Sequence, residues 1–251
     1  MAGSGGAGDP SGSGPASAGL AVLRQALLDF LFPPRCVVCR TRGDWLCSRC
    51  HPQLQLFTPP VCPRCGLPLA EALPLAEAPC PFCAGRRLPV AALRTAGYFE
   101  GPLRDAVHRL KFSGERYLAE PLGALLAGAW RLAPLPGEVL VPVPLHPRDV
   151  AARGYNQSAL LAIAAGRQLG LPAIATGLRK VRETAPQVGL AKSERLVNLR
   201  GAFAWTVGVC PTRPVLVDDV MTTGATLASC AAALRAAGAR TVCALVVARA
   251  R

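Results

Sequence analysis

At 251 residues and 51% hydrophobic content, the chain has room for one full α/β domain plus a small appended module, which excludes a chain disordered throughout. Aromatic residues make up only 5%, so the core is expected to be built from Ala, Leu and Val. The formal charge of +13 favours polyanionic partners, nucleic acid or phosphorylated metabolites, without choosing between them. Lys stands only at 111, 180 and 192, so part of the Arg content is a compositional bias that accompanies the richness in Ala, Pro and Gly.

Residues 1–19 are rich in Gly, Ser, Ala and Pro with one charge, Asp9, and bury too little apolar surface to fold; a disordered tail is expected. Leu20–Phe32 is apolar but carries Arg24, Gln25 and Asp29, and no basic segment precedes it. That pattern predicts a short amphipathic helix, neither a signal peptide nor a membrane span. Without an export signal a cytoplasmic, reducing setting is expected, and the eleven cysteines then need a role other than disulfides.

Eight of the eleven form four C-x-x-C pairs: Cys36/Cys39, Cys47/Cys50, Cys62/Cys65 and Cys80/Cys83. The two-residue spacing lets two thiolates converge on one ion, and two such knuckles close a tetrahedral shell, so two structural Zn²⁺ sites are expected within a module spanning 20–88. Gly66, directly after Cys65, suits a knuckle turn. A Pro-rich segment of this size makes little core of its own, so the metal supplies much of its folding free energy. Consecutive pairing gives a double zinc ribbon and interleaved pairing a cross-brace; spacing allows both. Arg35, Arg40, Arg42, Arg49 and Arg64 either line a binding face or are solvated charges. Cys210, Cys230 and Cys243 stand among apolar or small neighbours and are expected in the core.

From residue 89 to 251, short aliphatic runs alternate with amphipathic stretches, the pattern of an α/β domain with a mostly parallel sheet flanked by helices. Strands are predicted at Ala96–Phe99, Val139–Pro144, Val215–Asp218 and Thr241–Ala248. Helices are predicted at Pro102–Leu110, Tyr117–Trp130, Gln157–Leu169 and Ala225–Ala237, the last two stopped by Gly170 and Gly238. Ligands of such sheets bind at the carboxyl ends of the strands.

The most informative run is Val215-Leu-Val-Asp-Asp-Val-Met-Thr-Thr-Gly-Ala-Thr226, an apolar strand that delivers two carboxylates into a Thr/Gly turn opening a helix. Backbone N–H groups and the positive helix end form an anion cradle there, and Gly224 permits close approach. Asp218 and Asp219 repel a bare phosphate, so they suit a ligand with hydroxyls or Mg²⁺ beside its phosphate, as in a phosphorylated sugar. The plainer reading is an acidic strand end with a Thr/Gly helix cap. No G-x-x-x-x-G-K-[ST] loop occurs, and no G-x-G-x-x-G lies between a strand and a helix.

The run resembles the phosphoribosyl pyrophosphate signature of type I phosphoribosyltransferases. Leu110-Lys-Phe-Ser-Gly114, Val141-Pro-Val-Pro-Leu-His146 with Arg148, Arg153-Gly-Tyr-Asn-Gln157, Arg182-Glu-Thr-Ala-Pro-Gln187 and Glu194-Arg195 with Asn198 lead up to it in an order similar to that of the ComF family, as do the four C-x-x-C pairs. The resemblance covers roughly residues 20–251 and implies a zinc module fused to a phosphoribosyltransferase-like domain. It implies that Asp218 and Asp219 take the ribose hydroxyls as the catalytic pair, with Mg²⁺ accompanying the diphosphate donor. Thr222, Thr223, Gly224, Ala225 and Thr226 would hold the 5′-phosphate. The strand end at Pro144 would form the pyrophosphate loop, with His146 and Arg148 reaching the diphosphate; Pro-x-Pro equally ends a strand, and a surface His is equally ordinary.

Arg179–Arg200 carries six cations, Lys192 and Arg195 among them, and is expected to close as a flap over pyrophosphate. Phe203 and Trp205, the aromatics nearest in sequence, are either an acceptor platform or core. Two classes of function follow. One is a transferase moving ribose 5-phosphate to an acceptor; the other is a binding protein for single-stranded DNA, which the resemblance implies because some family members are linked to DNA uptake.

Overall fold

The computed structural model describes residues 33–69, 80–86, 88–182, 198–199 and 201–251. The expected tail, the helix at Leu20–Phe32 and most of the flap lie outside the described residues. In chain order the elements are β1 (Leu93–Tyr98), α1 (Gly101–Phe112), α2 (Ala119–Leu132), β2 (Val139–Pro142), α3 (Pro147–Arg153), α4 (Gln157–Leu169), β3 (Leu178–Lys180), β4 (Phe203–Trp205), β5 (Pro214–Met221), α5 (Ala225–Ala236) and β6 (Cys243–Arg249).

The central sheet is wholly parallel, in the order β1-β6-β5-β2. Strands β2, β5 and β6 are Val-rich and buried on both faces, β6 along its whole length, because helices cover each side. Val215, Val217 and Leu245 pack with Leu110 of α1, Leu122 of α2 and Leu161 of α4. Leu216 and Val246 point the other way, against Leu227, Cys230 and Leu234 of α5 and Phe203 of β4. The alternation along one strand thus builds both halves of the core. Helices α2 and α4 meet at small residues: a Cβ at Gly123 would stand 2.5 Å from that of Ala164. Asn156 caps α4 by accepting the Ser158 N–H, and Gly170, at φ 67°, ends it as expected.

Several boundaries move. β2 stops at Pro142 rather than Pro144. β5 runs on to Met221, opposite Arg249 of β6, so Asp218 lies inside the paired strand rather than at its end, and Asp219 inside it rather than just beyond it. The expected helix from Tyr117 opens as a tight 3-10 turn at Arg116–Leu118 before α2. The sequence patterns do not predict α3, β3 or β4, and Arg179 and Lys180 of the expected flap belong to β3, which pairs antiparallel with β4.

The cysteine module is docked on this domain. Cys36, Val37, Leu46 and Cys50 are buried in the same cluster as Ala106, Leu110 and Leu118. Phe57 N–H donates to Ala96 O at 2.8 Å and Leu93 N–H to Arg64 O at 2.8 Å, so both halves of the module are tied to β1. Arg94 is almost wholly buried and its guanidinium donates to the carbonyls of Pro63 and Ala133, bridging the module to the end of α2.

Candidate functional site

The Sγ atoms of Cys36, Cys39, Cys47 and Cys50 all lie within 4.8 Å of one another, and so do those of Cys62, Cys65, Cys80 and Cys83. A tetrahedral ion with Zn–S near 2.3 Å has sulfur–sulfur edges of about 3.8 Å. The separations Cys39–Cys47, Cys62–Cys83 and Cys65–Cys80 are 3.6, 3.9 and 3.5 Å. The pairing is therefore consecutive, and each set forms a closed shell with no open ligand position. The Thr41 hydroxyl, 3.2 Å from Cys39 Sγ, and the Thr41 backbone draw the Cys39 thiol down to about 5, which favours the metal-binding thiolate. Gly66 turns the second shell's first knuckle at φ 69°, its N–H donating to Cys62 O at 2.9 Å. A Cβ there would stand 2.6 Å from Leu93 O.

At the carboxyl end of β5, Asp218 Oδ1 accepts from Ser158 Oγ at 2.9 Å and from the Asp219 N–H at 3.0 Å. Asp219 Oδ1 lies 2.7 Å from Lys111 Nζ at the end of α1. Its other oxygen, Oδ2, is buried with no hydrogen-bond partner among the described residues. Beyond Met221, Thr222 is exposed, Thr223 half-buried and Gly224 buried. Gly224, at φ 80°, caps α5, and Thr223 Oγ1 accepts the Ala225 N–H at 3.3 Å. The carboxyl end of the sheet thus brings together helix-start N–H groups and threonine hydroxyls of the turn with the buried carboxylates of β5 that precede it.

Burial is the main force on Asp218 and pushes its carboxyl up to about 7; the Asp219 charge adds to this, while Lys111 and the Ser158 hydroxyl oppose it. As pH rises above the usual 3.8 the unfolded chain gives up this proton while the folded chain keeps it, so the group's contribution to stability falls until about pH 7 and then levels. Asp218→Asn is expected to remove that slope. Urea unfolding without added Mg²⁺ should show the variant gaining on the parent by about 1–4 kcal/mol between about pH 5 and about pH 8. An equal difference at both pH values would refute the assignment.

Residues 27–86 match the family model "Double zinc ribbon domain". The DNA utilization protein YhgH of Salmonella typhi is 34% identical over 220 residues, which cover 84% of this chain and 94% of that protein. Competence protein F of Haemophilus influenzae is 34% identical over 217 residues, 81% of this chain and 92% of the relative. The chain belongs to the ComF family. Among solved structures this ComF chain overlaps in part with the glutamine phosphoribosylpyrophosphate amidotransferase of B. subtilis, complexed with ADP and GMP, at 22% identity, covering 55% of this chain and 30% of that one with a TM-score of 0.37.

The ComF architecture places the remaining site residues unevenly. The loop holding Pro144 follows β2, the parallel neighbour of β5, so it leaves the sheet on the same side as the Thr222–Thr226 turn. His146 caps α3: its Nδ1 accepts the Arg148 N–H at 3.3 Å, which gives the imidazole a structural role. Arg148 is exposed. Lys192 and Arg195 lie outside the described residues. The flanks of that segment are joined, since Val181 N–H donates to Ala202 O at 2.8 Å and Arg182 Nη2 to Asn198 O at 2.7 Å. Phe203 is buried and Trp205 packs on Gly177, so both serve the core. Cys210, Cys230 and Cys243 are buried, as expected.

Lys111 and Ser158, which contact the carboxylate pair, carry no role in the sequence patterns. One signal was available for Lys111: it is one of three lysines in a chain that otherwise uses Arg. A compact ammonium fits beside a buried carboxylate where a planar fork does not.

Proposed function

We propose that this ComF protein binds phosphoribosyl pyrophosphate with Mg²⁺ and transfers its ribose 5-phosphate to an acceptor. The observation that carries this reading is the buried Asp218–Asp219 pair, with one unpartnered oxygen, set directly before the Thr222–Thr226 turn. An unpaired buried carboxylate oxygen is costly and fits a sugar hydroxyl or a Mg²⁺-bound water. In this reading the turn holds the 5′-phosphate, the carboxylates hold the ribose, and the Pro144 loop and Arg148 face the diphosphate. Lys192 and Arg195 close over it. Mg²⁺, held with the diphosphate beside Asp218 and Asp219, would supply neutralisation of charge on the pyrophosphate. An acceptor lone pair forms the new bond to C1 as the C1–O bond breaks, and pyrophosphate leaves with that electron pair. Closed zinc shells take no part in the chemistry, and their reduced thiolates suit a cytoplasmic setting.

Phosphorus NMR of phosphoribosyl pyrophosphate with Mg²⁺ tests the reading. The donor resonances are expected to broaden with the native chain and to stay sharp with Asp218→Asn/Asp219→Asn, whose affinity should fall about tenfold or more. Sharp resonances in excess native protein would end it.

The relatives' names speak of DNA utilization and of competence, and we propose as a second role the binding of single-stranded DNA that the family resemblance implies. On the zinc module Arg35, Arg42, Arg49 and Arg64 are exposed, whereas Arg40 is drawn to Glu115 at 3.2 Å. Binding on that face would weaken steeply with salt and survive the double Asp→Asn change.

A further inference from the structure

A cleft of about 660 Å³ lies between the second zinc ribbon and the Thr222–Gly224 turn, on the β6 side of that turn. Phe82, Arg86, Tyr98 and Arg249 line it together with Thr222 and Thr223, and no Asp or Glu is among its described lining residues. The volume is that of a small-molecule site and exceeds what a single phosphate fills.

The walls carry unmatched charge. Arg249, the last residue of β6, is 5% exposed, and its Nη1 has no hydrogen-bond partner among the described residues. Its guanidinium stacks on the Phe82 ring at 3.9 Å, and that of Arg86 stands over the same ring at 4.7 Å. Two like charges therefore share one aromatic ring. Burial disfavours the Arg249 charge, the nearby Cys65 and Cys83 sulfurs favour it, and Arg86 opposes it. The sulfur charge of one metal shell offsets part of this; an anion bound in the cleft that both guanidinia line would offset the rest. The apolar remainder of the wall suits a flat ring.

We infer that this cleft is the acceptor pocket, and that the acceptor is a planar aromatic or heteroaromatic ring bearing a negative charge. The acceptor role rests on the donor reading above; the ligand class rests on the cleft alone. A carboxylate on a free ring and a phosphate on a nucleotide share this chemistry.

Saturation-transfer NMR with pyridine-3-carboxylate and its neutral amide, on the full zinc-loaded chain, tests the inference. The acid is expected to receive saturation and the amide about tenfold less. Arg86→Ala, an exposed change that spares the fold, and Arg249→Met are each expected to weaken the acid about tenfold, with donor broadening in phosphorus NMR retained in Arg86→Ala. A short oligothymidine that displaces the acid would name a nucleotide as the natural source, and one that fails to displace it would name a free acid. Equal saturation of acid and amide, or an acid signal indifferent to both Arg changes, would overturn the inference while donor broadening persists. If donor broadening is absent but the acid still saturates, the donor reading and the acceptor role fall and the cleft stands as an anion site.

Discussion

Chelating the zinc from the intact chain is expected to unfold the cysteine module and to lower the melting temperature of the whole protein by about 10 °C or more. The module and the α/β domain share a core, because Cys36, Val37, Leu46 and Cys50 sit at 0–4% exposure in one cluster with α1 and α2. Zinc binding at such sites contributes on the order of 10 kcal/mol, comparable with the net stability of a domain. The two shells should not be equivalent. Cys36→Ser strikes the ribbon embedded in the main core, whereas Cys62, Cys65, Cys80 and Cys83 form a smaller cluster with Leu67, Phe82 and Leu88. Loss of the first shell is therefore expected to cost the domain more than Cys62→Ser. Thermal unfolding followed by circular dichroism, with zinc counted by elemental analysis, would check this. A melting temperature unmoved after full metal loss would show that the protein packing alone holds the module.

What the sequence disclosed depended on the range of the interaction. The Thr222–Thr226 turn is local: strand, carboxylates, glycine and helix start are contiguous, and Gly224 at φ 80° takes the backbone shape its type suggests. The four cysteine pairs are equally local, but which pairs share an ion depends on how the knuckles fold together, and spacing alone left that open. The Ser158–Asp218 hydrogen bond spans 60 residues, and no motif spacing encodes it. Strands β3 and β4 have three residues each, too few for a period of two to stand out, and they are held by pairing with each other. The extension of β5 to Met221 has the same origin. Adjacent Asp residues disfavour a strand by propensity, yet pairing with β6 carries the ladder through them.

That extension explains why Lys111 matters, and Lys111→Met is expected to be among the most damaging single changes on the α/β domain. Because Asp219 lies inside the sheet, its side chain is 3% exposed, and the lysine 2.7 Å away is itself only 22% exposed. Removing the ammonium strands a buried carboxylate beside a second one, a change that costs about 3–5 kcal/mol and here about 10 °C in melting temperature. The loss has a pH signature. Lys111 opposes the upward push on Asp218, so without it the folded state holds that proton still more tightly. Stability of the variant should keep falling above the pH at which the parent levels, and the deficit at about pH 8 should exceed that at about pH 5. A double-mutant cycle with Asp219→Asn isolates the pair, and a coupling of about 1 kcal/mol or more is expected. Additive losses, or a deficit independent of pH, would mean that Lys111 acts through packing of its stem rather than through its charge.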